Sequence, residues 1–166
     1  MARVYFKIPA GEIRKAVREN GTKRIIALTK NPAVLRQIAE KAIKLVTPYV
    51  PKDSGALQDS AHVIYHEKQV QIVWGDKKIG ARGNATEKYA HYQYEGKVYG
   101  PNFPIRVKGI IVGWRSPKDK PKHPTGRNLT YTSPTARAHW TEVIKRGSSE
   151  FNELVAYAEP LVKKEI

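Results

Sequence analysis

The chain has 166 residues, no cysteine and a net charge of +15 at pH 7. That length supports one real core and not two large ones, which points to a single domain over residues 1–166. Without cysteine there is no disulfide staple, thiolate metal site or cysteine nucleophile. The opening Met1 to Lys7 has no long apolar run behind its charges and does not read as a signal peptide. No stretch approaches the apolar length of a membrane helix, so no membrane partner is expected. The placement of the charge is more telling than its size. Residues 1–60 hold twelve Lys/Arg against five Asp/Glu, and residues 76–128 hold twelve against four. The excess is therefore +7 and +8 in two blocks, with none in residues 61–75 or 129–166. Such blocks suit surfaces that face nucleic acid or an acidic protein.

The alternation of Val4, Phe6 and Ile8 with Tyr5 and Lys7 predicts a first strand. A short helical pattern (Ile13, Ala16, Val17) follows and stops at Asn20-Gly21. The clearest helix starts at Asn31-Pro32, where asparagine can cap and proline suits the first turn. Leu35, Ile38, Ala42 and Leu45 fall at helical spacing, and Pro48 and Pro51 end the run. Ser60–His66 and Gln69–Trp74 alternate on either side of Glu67-Lys68, which predicts an antiparallel hairpin.

Two basic stretches without period come next, 76–87 and 115–128, with a predicted strand at 107–114 between them. Loops of that length serve binding or order on a partner. Lys77, Lys78 and Arg82 mark the first arm, and Arg115, Lys118, Lys120, Lys122 and Arg127 the second. Ser133-Pro134 looks like another helix start, running through Ala136, Trp140, Val143 and Ile144. A last helix from Ser148 or Ser149 passes Phe151, Leu154 and Ala158 to end at Pro160. The expected fold is α+β, with helices packed on a small antiparallel β-sheet and long basic loops.

Nothing in the sequence asks for an enzyme. His62 and His66 are four apart, but on an alternating segment they do not share a helical face, and no second metal-type histidine follows His66-Glu67. His91, His123 and His139 lack ligand spacing. Serines 54, 60, 116, 133, 148 and 149 have no nucleophile-elbow context, and Gly75, Gly80 and Gly83 no strand–loop–helix with a phosphate-binding lysine. Asp53 and Asp59 are a carboxylate pair without a sign of burial. No catalytic, metal or cofactor site is expected. A hydrolase would need a buried cluster of titratable groups that the sequence does not announce.

The segment Thr47 to Ser60 reads as a corner: Pro51 fixes the chain after the long helix, Asp53 or Ser54 can cap a short turn, Gly55 permits close approach, and Leu57 can anchor the turn. The order of these residues resembles the proline–x–acid–threonine–glycine–x–leucine–x–x–serine signature of the minor capsid and tail-completion (head–tail joining) proteins of long-tailed phages. Pro51, Asp53, Gly55, Leu57 and Ser60 match, with Ser54 in the threonine place. The stretch from Tyr89 and Ala90 through Gln93 to Gly96 is similar to a second segment of that family. Ser133-Pro134 to Trp140 is similar to its proline-led helix carrying a tryptophan. The resemblance covers residues 32–145, and the length and basicity of 103–127 depart from the compact members.

The resemblance implies a structural subunit of the virion neck, made in the host cytoplasm. It would form a ring with itself, a hexamer, between connector or adaptor and tail tube or tail terminator, with genomic DNA passing through the lumen. Pro51, Asp53, Ser54, Gly55, Leu57, Ser60, Tyr89, Ala90, Gln93, Gly96, Pro134 and Trp140 would then be motif and interface residues. The tyrosines 89, 92, 94 and 99 beside Lys88 and Lys97 suit packing and protein contact, although aromatics beside cations can also stack bases. The rival reading is a basic nucleic-acid-binding module, supported by a pI near 10.0 but by no recognisable reading motif.

Overall fold

The computed structural model of the chain describes residues 3–21, 31–66, 69–81 and 83–163. Strand β1 (Val4–Lys7) leads into helix α1 (Ala10–Glu19), which buries Ile13 and Val17 and stops at Asn20-Gly21 as its sequence predicts. Helix α2 (Pro32–Val46) is capped by the Asn31 side chain, which accepts from the Val34 N–H at 3.2 Å. Its apolar stripe, Leu35, Ile38, Ala39, Ala42 and Val46, is buried. A 3-10 turn at Thr47–Tyr49 and a single helical turn, α3 (Ala56–Asp59), carry the chain into the sheet.

β2 (His62–His66) and β3 (Gln69–Trp74) pair antiparallel as expected, and the connecting Glu67-Lys68 lies outside the described residues. β1 pairs with the other edge of β3, giving a three-stranded antiparallel sheet in the order β1-β3-β2. The central strand supplies Val70, Ile72 and Trp74 to the core. Helix α5 (Ser149–Val162) packs on α1 and α2 to complete a layer of helices, with Phe151, Leu154, Val155, Ala158 and Val162 buried. The Ser148 hydroxyl caps it by accepting from the Phe151 N–H at 3.0 Å. The helix runs through Pro160 instead of ending there. A proline so close to the terminus removes a single helical hydrogen bond, and buried Val162 holds the last turn in place. The result is the α+β fold, a helical layer on a small antiparallel sheet.

Between β3 and α5 the sequence reading needs three corrections. The predicted strand at 107–114 is one limb of a hairpin, β5 (Phe103–Val107) and β6 (Ile110–Arg115). Its turn is Lys108-Gly109, both in the left-handed region (φ 49 and 81), as a tight hairpin turn of this hand requires. Of the basic stretch 115–128, Arg115 ends β6 and only 116–122 is loop. The remainder is β7 (His123–Asn128), paired with β4 (Lys97–Gly100), so a stem carries the hairpin. Residues 133–144 form no α-helix: they make turns and a 3-10 turn at Trp140–Val143, with His139 left-handed at φ 50. The reason lies in the backbone donors. The Arg137 N–H goes to the Tyr49 carbonyl (3.1 Å) and the His139 N–H to the Tyr94 carbonyl (2.8 Å), so tertiary partners take bonds that a helix would need.

Candidate functional site

The three segments that carry the family resemblance lie far apart in sequence and meet in space. In the corner, Leu57 and Ser60 are buried. The Ser60 hydroxyl donates to the Leu57 carbonyl (2.7 Å) and accepts from the Gly75 N–H (2.9 Å), tying the turn to the end of β3. Gly55 opens α3 at φ 89, while a Cβ there would meet nothing nearer than the Lys52 side chain at 3.9 Å. Its need is therefore the left-handed backbone and not the close approach its sequence suggested. The Gln58 amide donates to the carbonyls of Thr47 (3.0 Å) and Val50 (3.1 Å), closing the corner on the end of α2.

Segment 131–141 lies across this corner as a strap. Besides the Arg137–Tyr49 bond, the Thr135 hydroxyl donates to the Pro48 carbonyl (2.6 Å) and the Thr132 hydroxyl to the Lys52 carbonyl (3.3 Å). The strap then grips helix α4 (Ala90–Glu95). The Tyr131 hydroxyl donates to the Gln93 carbonyl (2.6 Å), and the Tyr94 and Thr141 hydroxyls share a hydrogen bond of 2.6 Å. The Tyr94 ring stands edge-on to Trp140 (4.9 Å, 88°), and Trp140 stands edge-on to Trp74 (6.2 Å, 75°). Gly96 ends α4 at φ 66, where a Cβ would come within 2.5 Å of the Ala138 Cβ, so glycine is required by both backbone and space. Tyr89 is half-buried, and burial, with Asp53 and Asp76 nearby, raises its phenol above the ordinary range.

This arrangement separates two roles that the sequence reading had merged. Gly55, Leu57, Ser60, Ala90, Gly96 and Trp140 are buried inside the chain's own packing and build the corner. Pro51, Tyr89 and Gln93 are half-buried, and only Asp53, Ser54 and Pro134 of the motif are exposed.

The two predicted basic arms differ. Loop 76–87 is closed on itself. The Thr86 hydroxyl, fully buried, accepts from the Asp76 N–H (2.8 Å) and bonds the Asp76 carboxylate (2.9 Å), and Ile79 bridges Ala85. The Lys78 ammonium donates to the Asp59 carbonyl (2.6 Å), Lys77 is exposed, and Arg82 lies outside the described residues. The described residues of this loop are hydrogen-bonded within their own chain. The second, 115–128, belongs to a larger unit, the arm of residues 97–128, which is built otherwise. Its stem is attached through Tyr92 against Tyr99 (4.6 Å) and the Leu129 N–H to the Gly96 carbonyl (2.8 Å). Its outer hairpin packs extensively only within itself. The register places Phe103, Ile105, Val107 and Ile110 on one face and Ile111 and Trp114 on the other, all exposed. Arg115, Lys118, Lys120 and Arg127 are exposed around them, and Lys120 sits over the Phe103 ring at 5.6 Å. Lys122 folds back to the Pro101 carbonyl (3.1 Å).

Sequence reasoning missed this apolar hairpin. A glycine turn between two alternating apolar runs was the available signal.

Of the groups weighed for chemistry, His62 bonds the Ser60 carbonyl (2.7 Å), His91 lies 4.0 Å from Glu95, His139 packs on Tyr94 (4.9 Å) and His123 is exposed on β7. Among the described residues no three histidine, aspartate or glutamate side chains gather as a metal site would need. No helix among them is long and apolar enough to cross a membrane. Comparison with protein-family models, characterised proteins and solved structures finds no match to this chain.

Proposed function

We infer that the chain is a structural subunit of a tailed-phage neck, joining head to tail as one member of a ring. The observation that carries this reading is the convergence of the three resembling segments. Corner, α4 and strap are separated by tens of residues, yet they hydrogen-bond into one unit. The body would form the ring wall, and the arm, with its exposed apolar hairpin, would grip other subunits. The partners are further copies of the chain, in a hexamer, together with connector or adaptor below and tail tube or terminator above. DNA would traverse the lumen. A subunit of this kind works by geometry and carries out no reaction. Electron microscopy of particles made without this protein tests the reading: filled heads and free tails should accumulate, and normally joined particles would overturn it.

One observation favours a second reading. Arg106, Lys108, Arg115, Lys118 and Lys120 are all exposed, with Asp119 the sole carboxylate in that stretch. A nucleic-acid-binding module would bind DNA with a steep salt dependence and form no ring. Salt-titrated binding of the purified chain separates the two.

A further inference from the structure

The β5–β6 hairpin exposes Phe103, Ile105, Val107 and Ile110 on one face and Ile111 and Trp114 on the other. A lone two-stranded hairpin is marginal in water, and apolar residues clustered in this way mark a contact site. Because both faces are apolar, a flat partner would leave one of them wet. The complement is a cleft. Charge narrows what lines it. Arg106, Lys108, Arg115, Lys118 and Lys120 are exposed, and Asp119 is the sole carboxylate in that stretch. Among the described residues none of the five pairs with a carboxylate, whereas Arg3, Lys41 and Arg146 of the body each do. Cations carried into a cleft need counter-charge there. Lys108 stands at the turn, Arg106 on the face of Ile111 and Trp114, and Arg115 at the base, so carboxylates are needed at floor and mouth alike.

Three occupants fail on this chemistry. A bilayer would take in Lys108 first and Arg106 close behind it, which costs several kcal/mol in hydrocarbon. A nucleic-acid duplex supplies counter-charge, and its major groove admits a two-stranded ribbon, but the outward apolar face would stay in water. A second copy of the chain lacks the surface. Outside the arm, the exposed large apolar side chains among the described residues are Tyr5, Tyr65, Ile79 and Tyr157, on four different elements. The open groove between α1 and α5 has Phe151 and Val155 buried beneath it, and its Glu19 is held by Arg146 at 2.6 Å. Pairing of two such hairpins would set Arg106, Lys108 and Arg115 against their own kind.

We propose that the β5–β6 hairpin inserts into an acidic, apolar-lined cleft of a different protein, so that the arm joins unlike proteins and does not link copies of this chain. The proposal rests on the neck reading for where that protein is found, in the connector or tail that adjoins the ring. Trp114 is the anchor, because a large exposed aromatic that becomes desolvated carries much of such an interface's energy. The cations set orientation, and they keep the hairpin away from the basic surfaces of its own kind.

Site-specific photo-cross-linking in cells assembling the particles tests this. Benzoylphenylalanine in place of Val112, 60% exposed on β6, reports what covers the hairpin, and an unchanged melt of the purified chain verifies that it folds. On irradiation the joined peptide, identified by mass, should come from a different protein and carry aspartate or glutamate beside apolar residues. Trp114→Ala should cut the yield about tenfold while the melt stays put. Arg106→Glu with Arg115→Glu should cut it at least as far. Lys15→Glu with Lys44→Glu, an equal change of charge at exposed sites on the body, should leave it unchanged. A link to the chain's own peptides, to DNA or to lipid would overturn the proposal. So would a joined peptide without carboxylates, a yield indifferent to Trp114 and the arm's cations, or no link at all. If the expected link forms but particles made without the chain join normally, the neck reading falls and the contact stands. If those heads and tails stay unjoined while the link goes elsewhere, the contact alone falls.

Discussion

Loop 76–87 and arm 97–128 are both basic, and they are built in opposite ways. The loop is closed by a buried threonine: the Thr86 hydroxyl holds Asp76, and neighbouring backbone groups pair across the turn. The arm has its own strands but little of the core beneath its outer hairpin. Positive charge does not distinguish them, since both have it. The difference is in apolar content. The loop exposes Ile79 alone among large apolar residues, while the hairpin exposes a dense set. A basic stretch with one large apolar residue has little apolar surface to bury, and its polar groups pair within the chain. A basic stretch rich in isoleucine, valine and tryptophan has surface to bury and no room for it in its own body.

Substitutions can break or sharpen this contrast. The largest effect belongs to the body beneath both regions. Trp140→Ala removes the ring packed between Tyr94 and Trp74 and should cost about 3–5 kcal/mol in a denaturant melt. In the loop, Thr86→Val keeps the volume and deletes the hydroxyl, leaving the Asp76 N–H without that acceptor. A loss of about 1–3 kcal/mol is expected, with faster hydrogen exchange at residues 76–87. A variant as stable as the parent would put the loop in the same class as the arm.

A smaller effect concerns pH. The Tyr49 hydroxyl donates to Glu150, joining the corner to α5, and this bond with help from the backbone and Ser149 holds the Glu150 carboxyl below its ordinary value of 4.5. A carboxyl depressed in the folded state contributes stability that is complete above its unfolded value. That contribution fades as pH falls through the folded value. Glu150→Gln should therefore lower the melting temperature near neutrality, where that contribution is complete, and make it less dependent on pH below about pH 4.5, so that variant and parent converge in acid. The smallest effect belongs to the arm. Trp114→Ala should shift the stability of the lone chain by less than about 0.5 kcal/mol. A cost like that of a core tryptophan would mean the hairpin is packed on the body after all.

Much of the body was legible in the sequence because its signals are local. The Asn31-Pro32 cap, the spacing of Leu35, Ile38, Ala42 and Leu45 and the alternation of β1, β2 and β3 each fix an element without reference to distant residues. The strap misled for the opposite reason. Ser133-Pro134 has the chemistry of a helix start, but carbonyls of Tyr49 and Tyr94 compete for its amides, and no local pattern encodes them. Pro160 misled in a milder way, since burial of Val162 carries the helix past it. In the candidate site the residue order was readable and the roles were not. Leu57, Ser60 and Trp140 form a recognisable pattern, yet whether a side chain faces inward or toward a partner is settled by tertiary packing.

The central claim is that the outer hairpin of the arm serves assembly and not folding. Replacing residues 103–122 by a short Gly-Ser link, so that β4 and β7 can still pair, separates those duties. The account predicts a chain that melts cooperatively at close to the parent temperature but leaves filled heads and tails unjoined when it replaces the intact protein. A shortened chain that fails to fold, or one that still joins heads to tails at the normal yield, would contradict it.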